Sequence, residues 1–217
     1  SLRAKVTGVT VALLVIGIVA AGVGTMAFLR NTLLTNLDAQ LESLAPTDLS
    51  SGLIAIEVEG NTVSFTPKED AAPTNYYVAL YAPDGRLLAW AGGNDPDRTP
   101  AFPESIPLES TYARGTTTFE VPSVEGVSGF HASIAPYPVE GVTELFTQLV
   151  ALPVAPINEV VASFLSIYGI FALITAISGA LTTRWLVTLT FRSLGQVEST
   201  AMSIAGGDFS QRMTDIE

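Results

Sequence analysis

Catalysis and metal binding need side chains that hold a charge, a metal or a nucleophile, and this chain offers few. It has one histidine, His131, and no cysteine. Thiolate metal sites, cysteine nucleophiles and disulfides are therefore excluded. His131 falls in an expected strand and reads as a structural or surface histidine rather than a ligand or a catalyst. Asn94-Asp95-Pro96-Asp97 has oxygens that can touch a calcium ion. Calcium loops also need further ligands at fixed spacing and a distal bidentate glutamate, so this run reads as a plain turn. Tyr76 and Tyr77, with Trp90 on the next expected strand, can line a ligand pocket or form core and cross-strand pairs. The sequence contains no glycine-rich phosphate loop, no Ser-His-Asp set and no metal cluster. The segment carries no catalytic residues and calls for no cofactor.

The elements that must position these residues are set by two uncharged apolar stretches, Val6 to Leu29 and Val160 to Thr183, each of 24 residues. About 20 such residues cross the roughly 30 Å of hydrocarbon in a bilayer, and neither stretch has the polar face of a buried soluble helix. A signal peptide has a shorter apolar core and a small-residue cleavage site. The first stretch instead ends in Met26-Ala27-Phe28-Leu29-Arg30 and reads as an uncleaved anchor. Arg3 and Lys5 precede the first span, and Arg184 and Arg192 follow the second. Basic flanks favour the cytoplasm, so both termini are expected inside and residues 30–159 outside. That outer segment holds 17 acidic and 5 basic residues, a net charge of −12. Such acidity argues against nucleic acid as a partner. Gly17 with Ala21, and Ala20 with Gly24, have the small-residue spacing of a helix-packing face, though both residue types are common in spans.

Within the outer segment, leucines at 33, 34, 37, 41 and 44 form one helical stripe that ends at Pro46. The first span is therefore expected to continue outward as one helix. Short runs rich in branched and aromatic residues then predict strands over Leu53–Val58, Thr62–Thr66, Tyr76–Ala82, Arg86–Ala91, Thr116–Val121, Phe130–Ala135 and Leu145–Leu152. Glu59-Gly60-Asn61 and Pro83-Asp84-Gly85 have the composition of tight turns. Gly92 to Leu108 reads as a surface loop over the sheet. Pro153 and Pro156 close the last strand, and the pattern is helix-compatible from Ile157 into the second span.

Beyond Arg184, Val187, Thr190, Leu194, Val197, Ala201 and Ile204 recur at spacings of 3, 4, 3, 4 and 3. This is a coiled-coil seam with one polar member. A helix lying on the lipid surface would carry several basic residues, whereas only Arg192 lies between Trp185 and Gly207. Arg192-Ser193-Leu194, Val197, Thr200-Ala201, Ile204-Ala205, Gly207-Asp208-Phe209 and Arg212-Met213 resemble the first half of a HAMP linker. That resemblance implies a parallel dimer with Leu194, Val197, Ala201 and Ile204 in its seam. It also implies a connector opened by Gly207 and packed by Phe209 and Met213. Ser193 stands where that family usually has proline.

The order of span, outer domain, span and linker resembles a bacterial two-component sensor histidine kinase. The hairpin around Asp84-Gly85 is similar to the paired strands of PAS- or Cache-like extracytoplasmic sensors. The implied organisation is an α+β membrane protein with a cytoplasmic N-terminus (1–5), a first span (6–29), an extracytoplasmic antiparallel-sheet sensor (30–159), a second span (160–183) and a partial HAMP linker (184–217). By resemblance, the segment belongs to a longer homodimeric protein-histidine kinase of the bacterial cell membrane. That parent would use ATP and magnesium in its cytoplasmic part and phosphorylate a response regulator. A chemoreceptor or nucleotide cyclase can share this front half, and a non-signalling bitopic scaffold is the third reading.

Overall fold

The computed structural model describes residues 2–59, 62–95, 98–126 and 128–205. The chain divides into two compact units, Phe28–Ala162 and a helical unit formed by Ser1–Ala27 with Ser163–Glu217.

In chain order the elements are α1 (Leu2–Leu44), α2 (Ser50–Leu53), β1 (Ile54–Glu59), β2 (Thr62–Pro67), β3 (Tyr77–Tyr81), β4 (Leu87–Gly92), α3 (Leu108–Arg114), β5 (Phe119–Val121), β6 (Phe130–Pro138), β7 (Leu145–Pro153) and α4 (Ala155–Ala205). The architecture is α+β. α1 is unbroken, since no proline or interrupting turn lies between Leu2 and Leu44. Two helices are long and apolar enough to cross a membrane. Their large side chains, among them Leu13, Ile16, Phe171 and Leu181, are exposed.

In the helical unit, the Tyr168 hydroxyl donates to the Ile18 carbonyl at 2.5 Å. The Tyr168 ring lies directly over Gly22, where any Cβ would overlap it, and Leu14 lies against Gly179. Going from Gly22 back to Leu14 goes forward from Tyr168 to Gly179, so the two helices run antiparallel within this unit. The packing face is therefore built on Gly22. Gly17 and Gly24, from the small-residue pairs, have nothing within 4 Å of where a Cβ would sit.

In the unit Phe28–Ala162, five antiparallel strands form a sheet in the order β4-β3-β7-β6-β5. The first and last strands, β3 and β7, are neighbours, with Ala79 opposite Leu149. β3 and β7 are buried almost throughout because both faces of the sheet are covered. On one face Tyr77, Ala79, Tyr81, Phe130, Ile134 and Leu149 pack beneath Phe102 and Ile106 of the loop before α3. On the other, Leu37, Leu41 and Leu44 of α1 pack on Val150 and Leu152. Beside them the hairpin β1–β2 contributes Ile54 and Phe65, whose ring lies 5.3 Å from that of Phe146.

The structure differs from the sequence expectation in several places, and α4 begins at Ala155 rather than Ile157. β1 and β2 form their own two-stranded ribbon rather than joining the main sheet. The strand expected from Leu53 begins one residue later, after the single turn α2. Residues 108–114 form α3, which the loop reading of the preceding segment and the strand expected from Thr116 both missed; β5 is only three residues long. β6 runs on through Pro136 to Pro138.

Candidate functional site

Where α1 ends, polar groups fasten it to the sheet. Gln148 is the one long polar side chain buried in β7. Its Oε1 accepts from the Ser50 backbone N–H at 3.0 Å and the Ser50 hydroxyl at 2.5 Å. Its Nε2 donates to the carbonyls of Ala45 and Thr47, both at 2.8 Å. Burying an amide is costly unless its bonds are made, and here all are made: among the described residues no buried side-chain polar atom lacks a partner. The segment 45–50 that follows α1 is thereby held on the strand that leads to α4.

Two further ties surround Gln148. The Tyr137 hydroxyl donates to Asp48 Oδ1 at 2.8 Å, and the same oxygen accepts from the Ser51 N–H at 3.1 Å. Burial raises the Asp48 pKa, but the bonds from Tyr137 and Ser51 outweigh it and hold the carboxyl below its usual value. Burial, reinforced by the bond to Asp48 and its charge, pushes the Tyr137 hydroxyl well above the usual tyrosine value. On the same face of β6, His131 Nδ1 lies 2.7 Å from Asp38 Oδ1 of α1, with the His131 side chain only 15% exposed. Glu120 of β5 stands 4.0 Å from its other nitrogen. His131 thus joins helix to sheet. Asp38, Asp48, Tyr137 and Gln148 were not singled out in the sequence. Gln148 had a signal: it is the one long polar residue inside the otherwise apolar run Leu145–Leu152, next to the small Thr147.

The expected aromatic pocket is corrected in part. Tyr76 packs with Val150 and Leu152 on the α1 face, whereas Tyr77 lies in the opposite core. Neighbouring strand positions point to opposite faces, so the adjacent tyrosines cannot share one pocket wall with Trp90. Tyr77 and Trp90 do lie together, with ring centroids 6.5 Å apart. Phe130 stands edge-on to Tyr77 at 5.5 Å and Phe102 lies 5.7 Å from Trp90. The Tyr77 hydroxyl donates to the carbonyls of Asp95 and Arg98. Burial, with the Asp95 charge behind it, raises its pKa. Tyr77 is therefore a core residue whose hydroxyl holds Asp95 and Arg98 near β3. Gly93, at φ +82°, accommodates that ring, since a Cβ there would overlap it. Asp95 pairs with Arg98 at 3.3 Å, and Arg98 reaches Glu159 at 3.5 Å. Pro96 and Asp97 lie outside the described residues.

Trp90 is 41% exposed and borders an open cleft of about 570 Å³. The cleft is lined by Leu88 through Gly93 on one side and by Pro67, Lys68 and Ala71–Pro73 on the other. A second cleft of about 490 Å³ shares Ala71, Pro73, Trp90, Gly92 and Gly93 with it and reaches Asp95 and Thr99; Tyr77 also lines it, so Tyr77 and Trp90 of the expected pocket border one cleft and Tyr76 does not.

Of the expected linker residues, Leu194, Val197, Ala201 and Ile204 lie in α4, while Gly207, Phe209 and Met213 lie outside the described residues. No protein-family model, curated protein or solved structure matches the chain.

Proposed function

We propose that this chain is the signal-sensing and signal-transmitting region of a membrane receptor, and specifically of a sensor histidine kinase. In this reading both termini are cytoplasmic and the unit Phe28–Ala162 is extracytoplasmic. The observation that carries it is connectivity. β7 ends at Pro153 and α4 begins at Ala155, so the single residue Val154 separates a central strand from an apolar helix. Val154 is itself buried and donates its N–H to the Gly129 carbonyl at 3.1 Å. With no flexible linker, a change in the packing of β7 passes into α4.

The junction at Gln148 supports the same reading. It ties the end of one apolar helix to the strand that leads into the other. A stimulus acting on the sheet would then shift α4 against α1 as a piston, tilt or rotation. The seam at Leu194, Val197, Ala201 and Ile204 would move between two packings of similar energy. The five-stranded sheet with its first and last strands paired is compatible with a PAS- or Cache-like sensor. Homodimerisation, ATP and magnesium in a cytoplasmic kinase part, and a response regulator belong to this proposal.

The test is disulfide crosslinking in membranes of single cysteines at positions 188 to 204, which the cysteine-free chain allows without background changes. A receptor seam gives strong crosslinks at 194, 197, 201 and 204 and weak ones between. A helix lying on the lipid surface, as the scaffold reading requires, gives no periodic pattern.

A further inference from the structure

We infer that the outer edge of β4 is a docking site for an extended cationic peptide, which adds to the sheet as a sixth strand. β4 is the end strand of the five-stranded sheet, and among the described residues no other strand pairs with its outer side. Gly93 donates its N–H to the Tyr76 carbonyl at 2.9 Å, and Ala91 stands opposite Val78 and Ala89 opposite Leu80. Bonded positions alternate along an antiparallel pair, so Ala89 and Ala91 turn their backbone groups to β3. Trp90 between them turns its N–H and carbonyl outward.

The cleft lies along this edge. Its lining runs through six consecutive residues, Leu88 to Gly93. Consecutive strand residues alternate between faces, so one cleft touches all six only by following the strand edge. Ala89 belongs to one core, and the Trp90 ring packs tilted against Phe102 over the other. Pro67 and Pro73 wall the far side, and prolines there leave fewer N–H groups to compete with the incoming strand. This is the arrangement that recognises a peptide by strand addition, where backbone bonds give affinity and flanking pockets give sequence preference.

The occupant's charge follows from the groove's surroundings. Glu69 and Asp70 form the exposed turn between the lining residues Lys68 and Ala71, outside the lining itself, and Asp95, paired with Arg98, closes one end of the second cleft. Lys68, the one cation in the lining, already donates to the Ser51 carbonyl at 2.7 Å. The whole segment 30–159 carries a net charge of −12. A lysine- or arginine-bearing strand is complementary to this field, and an acidic one is repelled.

This proposal rests on the sensor reading only in making the peptide a stimulus. Binding is measured apart from signalling, so the two can fail separately. The chain has two tryptophans, Trp90 and Trp185, and in Trp185→Phe protein all tryptophan emission comes from Trp90. The full chain in detergent micelles is titrated with a capped octapeptide of alternating valine and lysine. A saturable change in Trp90 emission is expected. Affinity should fall at least tenfold for the same peptide methylated on its four central backbone nitrogens, and likewise for a valine–glutamate octapeptide. It should fall similarly for Glu69→Lys/Asp70→Lys protein, whose far-UV circular dichroism should match the parent's. No emission change, or equal binding of the methylated peptide, overturns strand addition. Equal binding of the acidic peptide overturns the charge assignment. Emission that follows protein concentration rather than peptide means that a second copy occupies the edge, and also overturns the proposal. Peptide binding that leaves the crosslinking pattern at 194–204 unchanged would count against the sensor reading alone.

Discussion

At the scale of single residues, Gln148 holds the most structure. Replacing it with leucine keeps the volume but leaves Ser50 and the carbonyls of Ala45 and Thr47 without their partner. Each buried polar group left unpaired costs about 1–3 kcal/mol, so Gln148→Leu should destabilise the sheet unit by about 2 kcal/mol or more. A lowered midpoint of the near-UV circular dichroism melt would register this, and an unchanged midpoint would remove the junction from the argument. The titrating groups give a second expectation. Tyr81 and Tyr137 both have pKa values raised by burial above the usual 10. Their contribution to stability is present in full below that value and is lost as pH rises towards their folded values. Asp48 is shifted the other way, so its contribution is present above the ordinary 3.8 and is lost as pH falls towards its folded value. Melting midpoints measured against pH should therefore decline at both extremes. Tyr137→Phe should flatten part of the alkaline arm. Asp48 is exposed and screened by water, so its acid arm should be the shallower one.

At the scale of elements, the two apolar helices meet closely where Tyr168 lies over Gly22 and where Leu14 lies against Gly179. Gly22→Leu puts a side chain where the Tyr168 ring lies. It should separate the helices and remove the bond to the Ile18 carbonyl. Tyr168→Phe removes that bond but keeps the ring, which is worth about 0.6 kcal/mol on average between membrane helices. The first substitution should therefore cut crosslinking between cysteines placed at 14 and 179 sharply, and the second should change it little. Further along α4, Ile204→Asp puts a charge at a position of the proposed seam. In the receptor reading it should lock or uncouple signalling without preventing membrane insertion, as read by membrane fractionation and by response of a fused kinase output. A normal response would remove the seam assignment.

At the scale of the whole molecule, the proposed topology is tested by labelling intact cells with a membrane-impermeant maleimide. Cysteine at Asp84, in the β3–β4 turn, should react from outside, whereas cysteine at Arg3 or Ser199 should react only after the cells are opened. Labelling of all three in intact cells would refute the orientation drawn from Arg3, Lys5, Arg184 and Arg192.

Much of this organisation was legible in the chain because it rests on local or one-dimensional signals. Uncharged runs of 24 residues mark helices that can cross a membrane, since helix length and side-chain polarity are set along the sequence. The leucine stripe of residues 33–44 and the alternation of short apolar runs announced a helix running on to Leu44 and a sheet for the same reason. The pairing of the strands was decided only by the tertiary structure. The contact of β3 with β7 joins residues about seventy positions apart, and no local pattern encodes which strands meet. That pairing left β4 at the sheet's edge, put Tyr76 and Tyr77 into opposite cores, and brought Gln148 under the end of α1. A polar residue in an apolar strand says that a partner is needed. Only the folded chain, by closing loops of about a hundred residues, shows that the partners are Ala45, Thr47 and Ser50.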